Sequence, residues 1–288
     1  MHPFRAARMH ATTLSEAIER YILYRDLSAE TADWYRRIGS VFTGWAGRDV
    51  LLADFNGEQI SRLLMAKREA GRSSHYVKSL RSGLLAFLRE IRGDSPIERV
   101  RTVRTKPLDP QAWTAAEVGR LLSACDEMPP ASRWRWVLTI AVAYYSGLDR
   151  CDIWRIERAD IDSEGRLAFR RAKTGSAVFV ALPPDVLAMI DEHCPRQGPI
   201  LHMGITKEWF RQVFAGLVRR AGLSGSFKRF RKTSGSLVEL EHPGTGHRHL
   251  GNTRAIFERH YEARRVTRAE PTMPPLIRLP DPRQKPPG

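Results

Sequence analysis

The sequence predicts a mainly α-helical protein with one small antiparallel β-hairpin, an α+β class built as two domains. Three observations carry this. Four amphipathic segments at helical spacing fill roughly the first 95 residues. A stretch rich in Arg, Lys and Pro from 96 to 112 has no apolar period. Beyond it, further helical segments are interrupted by a pair of short runs that meet at Gly175. At 288 residues the chain has room for two ordinary domains, each with its own core.

Thr13-Leu-Ser-Glu16 is a capping box, and it opens a helix with Leu14, Ile18, Tyr21 and Ile22 on one face. A second helix follows Ser28, where Trp34, Ile38, Val41, Phe42 and Trp45 recur at helical spacing, with Gly44 and Gly47 closing it. Residues 59–70 give a third, ended at Gly71. Ser73 or Ser74 caps a fourth, with Val77, Leu80, Leu84, Phe87, Leu88 and Ile91 on its apolar face. Together they make a small bundle over residues 1–95. The 96–112 stretch, with Pro96, Arg99, Arg101, Arg104, Lys106, Pro107 and Pro110, is expected to be the interdomain linker.

The second domain, 113–268, opens on another capping box, Thr114-Ala-Ala-Glu117. Residues 134–145 are a strongly apolar helix suited to the centre of a core. Arg166-Leu-Ala-Phe-Arg-Arg alternates, passes through Lys173-Thr-Gly175-Ser, and returns as Val178-Phe-Val-Ala-Leu-Pro, which is a hairpin pattern. Helices are expected near 184–193, 207–221, 230–241 and 253–265. The tail, 269–288, is expected to be disordered, with seven prolines from Pro271 onward and little apolar content.

Composition restricts the partners. The net charge is +15, which favours a polyanion through long-range attraction and counterion release. A nucleic acid is the expected partner; a plainly basic solvated surface is the bland alternative. An RNA-binding module would be expected to show aromatic stacking motifs, which this chain lacks. Cys125, Cys151 and Cys194 lie far apart and form no Cys-x-x-Cys pair, which argues against a disulfide framework or a structural zinc site. His242, His247, His249 and His260 cluster in sequence without zinc-ligand spacing, so no metal is expected. No stretch reaches the length of a membrane span, and the N-terminus has no apolar signal region. A cytoplasmic, nucleoid-associated protein is expected.

The densest chemistry lies near the C-terminus. Phe227-Lys-Arg-Phe-Arg231-Lys-Thr is followed by His249-Leu-Gly-Asn252 and, nine residues later, by Tyr261. Upstream stands Tyr145-Ser-Gly-Leu-Asp149-Arg-Cys-Asp-Ile. In order and spacing these segments resemble the tyrosine recombinase, or phage integrase, family. There a Thr-Gly-Leu-Arg box carries a first arginine, a His-x-x-Arg box a second, and Leu-Gly-His precedes a nucleophilic tyrosine. The resemblance runs over about residues 10–268. It implies a helical core-binding N-terminal domain, a catalytic-type C-terminal domain, double-stranded DNA as the partner, and possible homo-oligomers on that DNA. It also implies strand cleavage through a 3′-phosphotyrosyl link, with no cofactor.

Mapped by register, Tyr261 is the nucleophile, Arg231 the second arginine, and Lys173 the hairpin lysine that protonates the leaving 5′ oxygen. Lys228 replaces one histidine, keeping a cation but not a base near neutral pH. Asn252 replaces the other, keeping a donor without proton-shuttling capacity. Asp149 stands where the first arginine belongs, which places a carboxylate where a phosphate is to bind. It is expected either to pair with Lys228 or Arg231 or, if the register shifts by one, to yield that role to Arg150. One helical step is a turn of about 100°, which points Arg150 elsewhere. Arg99, Arg101, Arg104, Lys106, Arg229 and Lys232 are the expected phosphate-contacting cations. Each position has a plainer reading too: Tyr261 shares a helix face with Phe257 as a core residue, and Arg231 pairs internally.

Overall fold

Side-chain caps set the helix starts. Thr13 accepts from the Glu16 amide while Glu16 reaches back, and Asn56 and Ser73 accept from the amides of Gln59 and Tyr76. The computed structural model describes residues 12–93, 99–105, 109–201 and 203–263. It divides into two compact units, Met1–Pro107 and Leu108–Gly288. Pro96, Lys106, Pro107 and the 269–288 tail lie outside the described residues.

The first unit is a bundle of α1 (Leu14–Tyr24), α2 (Ala29–Ala46), α3 (Gly57–Glu69) and α4 (Ser74–Arg92). Gly44 lies within α2, and Gly47, in the left-handed region at φ 72°, ends it. The core is a chain of aromatic rings. Tyr21 packs edge-on against Tyr35 and Phe87, Phe42 against Phe55, with centroids 5.0–5.3 Å apart. α4 lies close against α2 at Gly83, where a Cβ would sit 2.7 Å from Ile38 Cδ1.

The described part of the expected linker is packed rather than free. Val100 and Val103 are buried in the first unit's core, and Arg81 donates to the carbonyls of Val100 (2.8 Å) and Arg101 (3.0 Å). Arg99, Arg101 and Arg104, beside these anchors, are exposed. Two valines three residues apart among arginines leave no helical or strand period. The segment is therefore an irregular strap held by two apolar side chains and one guanidinium.

The second unit contains α5 (Ala115–Ser123), α6 (Pro130–Ser146), α7 (Arg150–Ile153), a 3₁₀ turn at Arg158–Asp160, β1 (Arg166–Arg170), β2 (Ala177–Ala181), α8 (Pro184–His193), α9 (Lys207–Arg220), α10 (Arg229–Glu241), α11 (Gly246–His249) and α12 (Arg254–His260). α6 is central, burying Trp136, Leu138, Ile140, Val142 and Ala143. β1 and β2 pair antiparallel with Phe169 opposite Val178, and Leu167, Phe169, Val178 and Val180 face inward. Gly175 takes a positive φ in the turn. Trp113, Phe214, Phe227 and Phe230 form a second aromatic cluster, and the Trp113 amide donates to Thr233 Oγ1 on α10 (2.8 Å). α10 packs on α6 and α11, and α11 on β2, which brings the motif segments together. α12 ends at His260, short of the expected 265, with Tyr261 as its C-cap.

The strap's anchoring yields a test. Val103→Asp should lower the first unit's unfolding temperature, because a buried charge replaces an apolar contact. It should also speed tryptic cleavage after Arg99, Arg101 and Arg104. Arg104→Ala, which changes an exposed side chain, should leave unfolding within about 0.5 kcal/mol of the parent.

Candidate phosphate-binding site

Arg231 organises the site. It lies on α10, 2% exposed, and donates from Nη1 to the Gly147 carbonyl (2.9 Å) and from Nη2 to the Leu250 carbonyl (2.5 Å) and Asn252 Oδ1 (3.4 Å). Gly147 ends α6 at φ 62°, and a Cβ there would press on Leu250 and Ser234, so glycine is required on both counts. Burial, and then the positive charge of Arg171, depress the Arg231 pKa, with Tyr261 and Asp149 acting the other way. A guanidinium stays protonated regardless.

Tyr261 sits beneath this cation, with the Arg231 Cζ 5.0 Å from its ring centroid. Its backbone is fixed twice. The Tyr261 amide donates to the Phe257 carbonyl (2.8 Å), and Ser236 Oγ donates to the Tyr261 carbonyl (3.1 Å) while accepting from the Ala263 amide (2.8 Å). Phe257 takes the buried role on that helix face, and Tyr261 is half-buried. Asn252 follows Gly251, whose φ is 62° and whose Cβ would lie 2.9 Å from the Ala177 carbonyl, so this turn abuts the start of β2. Arg231 Nε and Asn252 Nδ2 are both buried and make no hydrogen bond among the described residues. They are two donors in one neighbourhood available to an anion.

Asp149 pairs with neither of its expected partners. Its carboxylate accepts from Arg171 Nη2 at 2.8 Å. Arg171 is 6% exposed, and its Nε donates to Asp152 Oδ2 (3.1 Å), while Asp152 Oδ1 accepts from the Ala172 amide (3.0 Å). Arg150 leads α7, and its guanidinium lies over Trp154 (4.6 Å) and Phe210 (5.5 Å). Lys173, two residues after Arg171, and Lys228, before α10, are both exposed. No hydrogen bond or ion pair in the described residues ties either lysine to Arg231, Asp149 or Tyr261. Arg229 stacks over Trp113 at 5.3 Å, and Lys232 is half-buried with its pKa lowered by burial and then by Arg229.

Arg171, Asp152 and the His249–Ser234 contact escaped the sequence reading. A signal for the first existed: strand alternation puts 167, 169 and 171 on one face, and the first two are core. Asp152 is three residues from Asp149, within reach on a helical turn. His249 Nε2 lies 2.7 Å from Ser234 Oγ, and burial, then Arg231, lowers its pKa to about 4. Among the described residues no group of three His, Cys, Asp or Glu side chains is placed to hold a metal. No described helix is long and apolar enough to cross a membrane.

No family model matches the chain. It is 28% identical over 177 residues to the tyrosine recombinase XerA of Thermococcus kodakarensis, covering 60% of this chain and 59% of that protein. The match therefore spans less than two thirds of the relative's length. Among solved structures, a lambda integrase dimer bound to a COC′ core site superposes with a TM-score of 0.68 at 21% identity, over 93% of this chain and 100% of that one. The Tn1549 transposon integrase in complex with transposon right end DNA gives 0.62 at 12% identity, over 90% and 98%. The fold is the one these integrases share, and the sequence similarity is to a tyrosine recombinase.

His249 gives a pH test. Unfolded, it takes up its proton near 6.5; folded, only near 4, so between these values the unfolded state binds more protons and stability falls as pH drops. The loss across that window should reach about 3 kcal/mol. His249→Gln keeps a hydrogen-bonding side chain beside Ser234 without titrating, and should flatten this part of the pH profile in chemical unfolding.

Proposed function

We propose that this protein is a DNA-binding member of the tyrosine recombinase family that acts in DNA integration or recombination, with Tyr261 as the nucleophile. The observation that carries the reading is the buried Arg231 guanidinium lying over the Tyr261 ring, beside the unpartnered donors Arg231 Nε and Asn252 Nδ2. A DNA phosphodiester bound to those donors would stand against the phenolic oxygen. Attack forms the tyrosyl O–P bond as the bond to the 5′ oxygen breaks, leaving a 3′-phosphotyrosyl link. Positioning and stabilisation of charge on the non-bridging oxygens account for most of such a reaction. Lys173, exposed in the hairpin turn, is the general acid in this reading. The phenolic proton leaves to water, since Asn252 cannot accept it.

The net charge of +15 supports duplex binding, with Arg99, Arg101 and Arg104 on the strap and Arg229 and Lys232 on α10 as phosphate contacts. The DNA-bound lambda and Tn1549 integrases support the same partner, pairing of copies on DNA, and service to a mobile element. A DNA-associated location follows. One observation favours a second reading, an accessory protein that binds DNA without cutting it: the carboxylate of Asp149 where the family has an arginine.

Both readings predict binding to a generic duplex that weakens steeply between low and moderate salt; affinity flat with salt would exclude them. A pool of nicked suicide duplexes with randomised flanks separates the two. A covalent adduct that Tyr261→Phe abolishes establishes strand cleavage through a phosphotyrosyl link. Salt-sensitive binding without any adduct supports the accessory protein.

A further inference from the structure

We propose that Arg171 supplies the second guanidinium of the phosphate site, from the hairpin rather than from the end of α6, and that Asp149 is its resident counter-anion, displaced when a phosphodiester enters. This rests on the DNA-binding reading above.

The backbone brings the parts together. Arg231 Nη1 holds the carbonyl of Gly147, two residues before Asp149. Arg231 Nη2 holds the Leu250 carbonyl in the turn that abuts Ala177 through Gly251. The Arg171 amide donates to the Ser176 carbonyl (3.0 Å), one residue before Ala177. Arg171 and Arg231 therefore approach one region from the hairpin and from α10, close enough for each charge to act on the other.

The two carboxylates on Arg171 are not equivalent. Asp152 is 1% exposed, takes Nε, and is itself held by the Ala172 amide. It is a fixed support that sets the plane of the guanidinium. The Asp149 side chain is 32% exposed, and its carboxylate takes Nη2 with no other hydrogen bond among the described residues. It also attracts Arg231. One carboxylate bonded to one guanidinium and drawn toward a second stands as a phosphate oxygen would between two arginines. Asp152 can keep Arg171 in place while Asp149 gives way to solvent.

The signs of two substitutions separate this from a structural ion pair. If the pair only braces the fold, Asp149→Asn and Arg171→Gln both weaken the fold and move DNA affinity the same way or not at all. If Arg171 binds phosphate, they split. Each is measured by duplex affinity from low to moderate salt and by thermal unfolding, on a 30-base-pair duplex and the nicked pool. Asp149→Asn should tighten binding by about five-fold, the scale of one partly exposed charge interaction. Arg171→Gln should weaken it by about ten-fold, and reduce the salt slope by about one phosphate contact. Arg171→Lys, which keeps the charge in case Arg171→Gln unfolds, should retain the slope. Asp149→Arg should gain less than Asp149→Asn, because it sets a guanidinium against Arg171. Equal affinity and slope for the parent and a folded Arg171→Gln would overturn the proposal, as would Asp149→Asn binding no more tightly than the parent, or Asp149→Arg exceeding Asp149→Asn. A parent that does not bind duplex at all would instead overturn the DNA-binding reading on which it rests.

Discussion

A guanidinium taken almost wholly out of water is the constraint on which the second unit depends. Burying a charge is costly unless its hydrogen bonds are made inside, and Arg231 makes them with backbone carbonyls at the end of α6 and in the turn after α11. Those carbonyls are free because the residues around them cannot continue a helix: Gly147 is left-handed, and the chain reverses at Gly251. One side chain thus cross-links three segments distant in sequence. The same requirement fixes the position of Asn252 and the height of the cation over Tyr261.

Around that cation the charges alternate in sign. Asp152, Arg171, Asp149 and Arg231 follow one another as anion, cation, anion, cation, each next to its opposite. The arrangement needs no external ion to be neutral, so the partly exposed carboxylate of Asp149 is balanced from within the protein. Arg150, the neighbouring cation in sequence, is stabilised differently, by the faces of Trp154 and Phe210.

Much of the fold was legible in the sequence because caps and periods are local properties. The Thr13 and Thr114 boxes, the apolar stripes of α1 to α6 and the alternation about Gly175 each declare an element without reference to any other. Four-residue helices such as α7 and α11 hold too few positions to show a period, and α11 was not anticipated. The strap at 99–105 escaped for a related reason: its burial comes from two isolated valines and a distant arginine. In the site, Arg231, Asn252 and Tyr261 were legible through their mutual spacing. The partner of Asp149 was not, since it is chosen by how the hairpin lies against α7. Only strand parity pointed to Arg171 as an inward-facing residue.

The hydroxyl of Ser236 joins the backbone of Tyr261 to α10, one and a half turns from Arg231 on the same helix. Tyrosine and cation are consequently parts of one body, supplied by a single copy. In the proposed recombinase role, each copy bound to DNA would carry its own nucleophile and would act in cis. Any coupling between strand cutting and the pairing of copies would then have to work through the opposite wall, the hairpin and the end of α6, rather than through delivery of tyrosine from a neighbour.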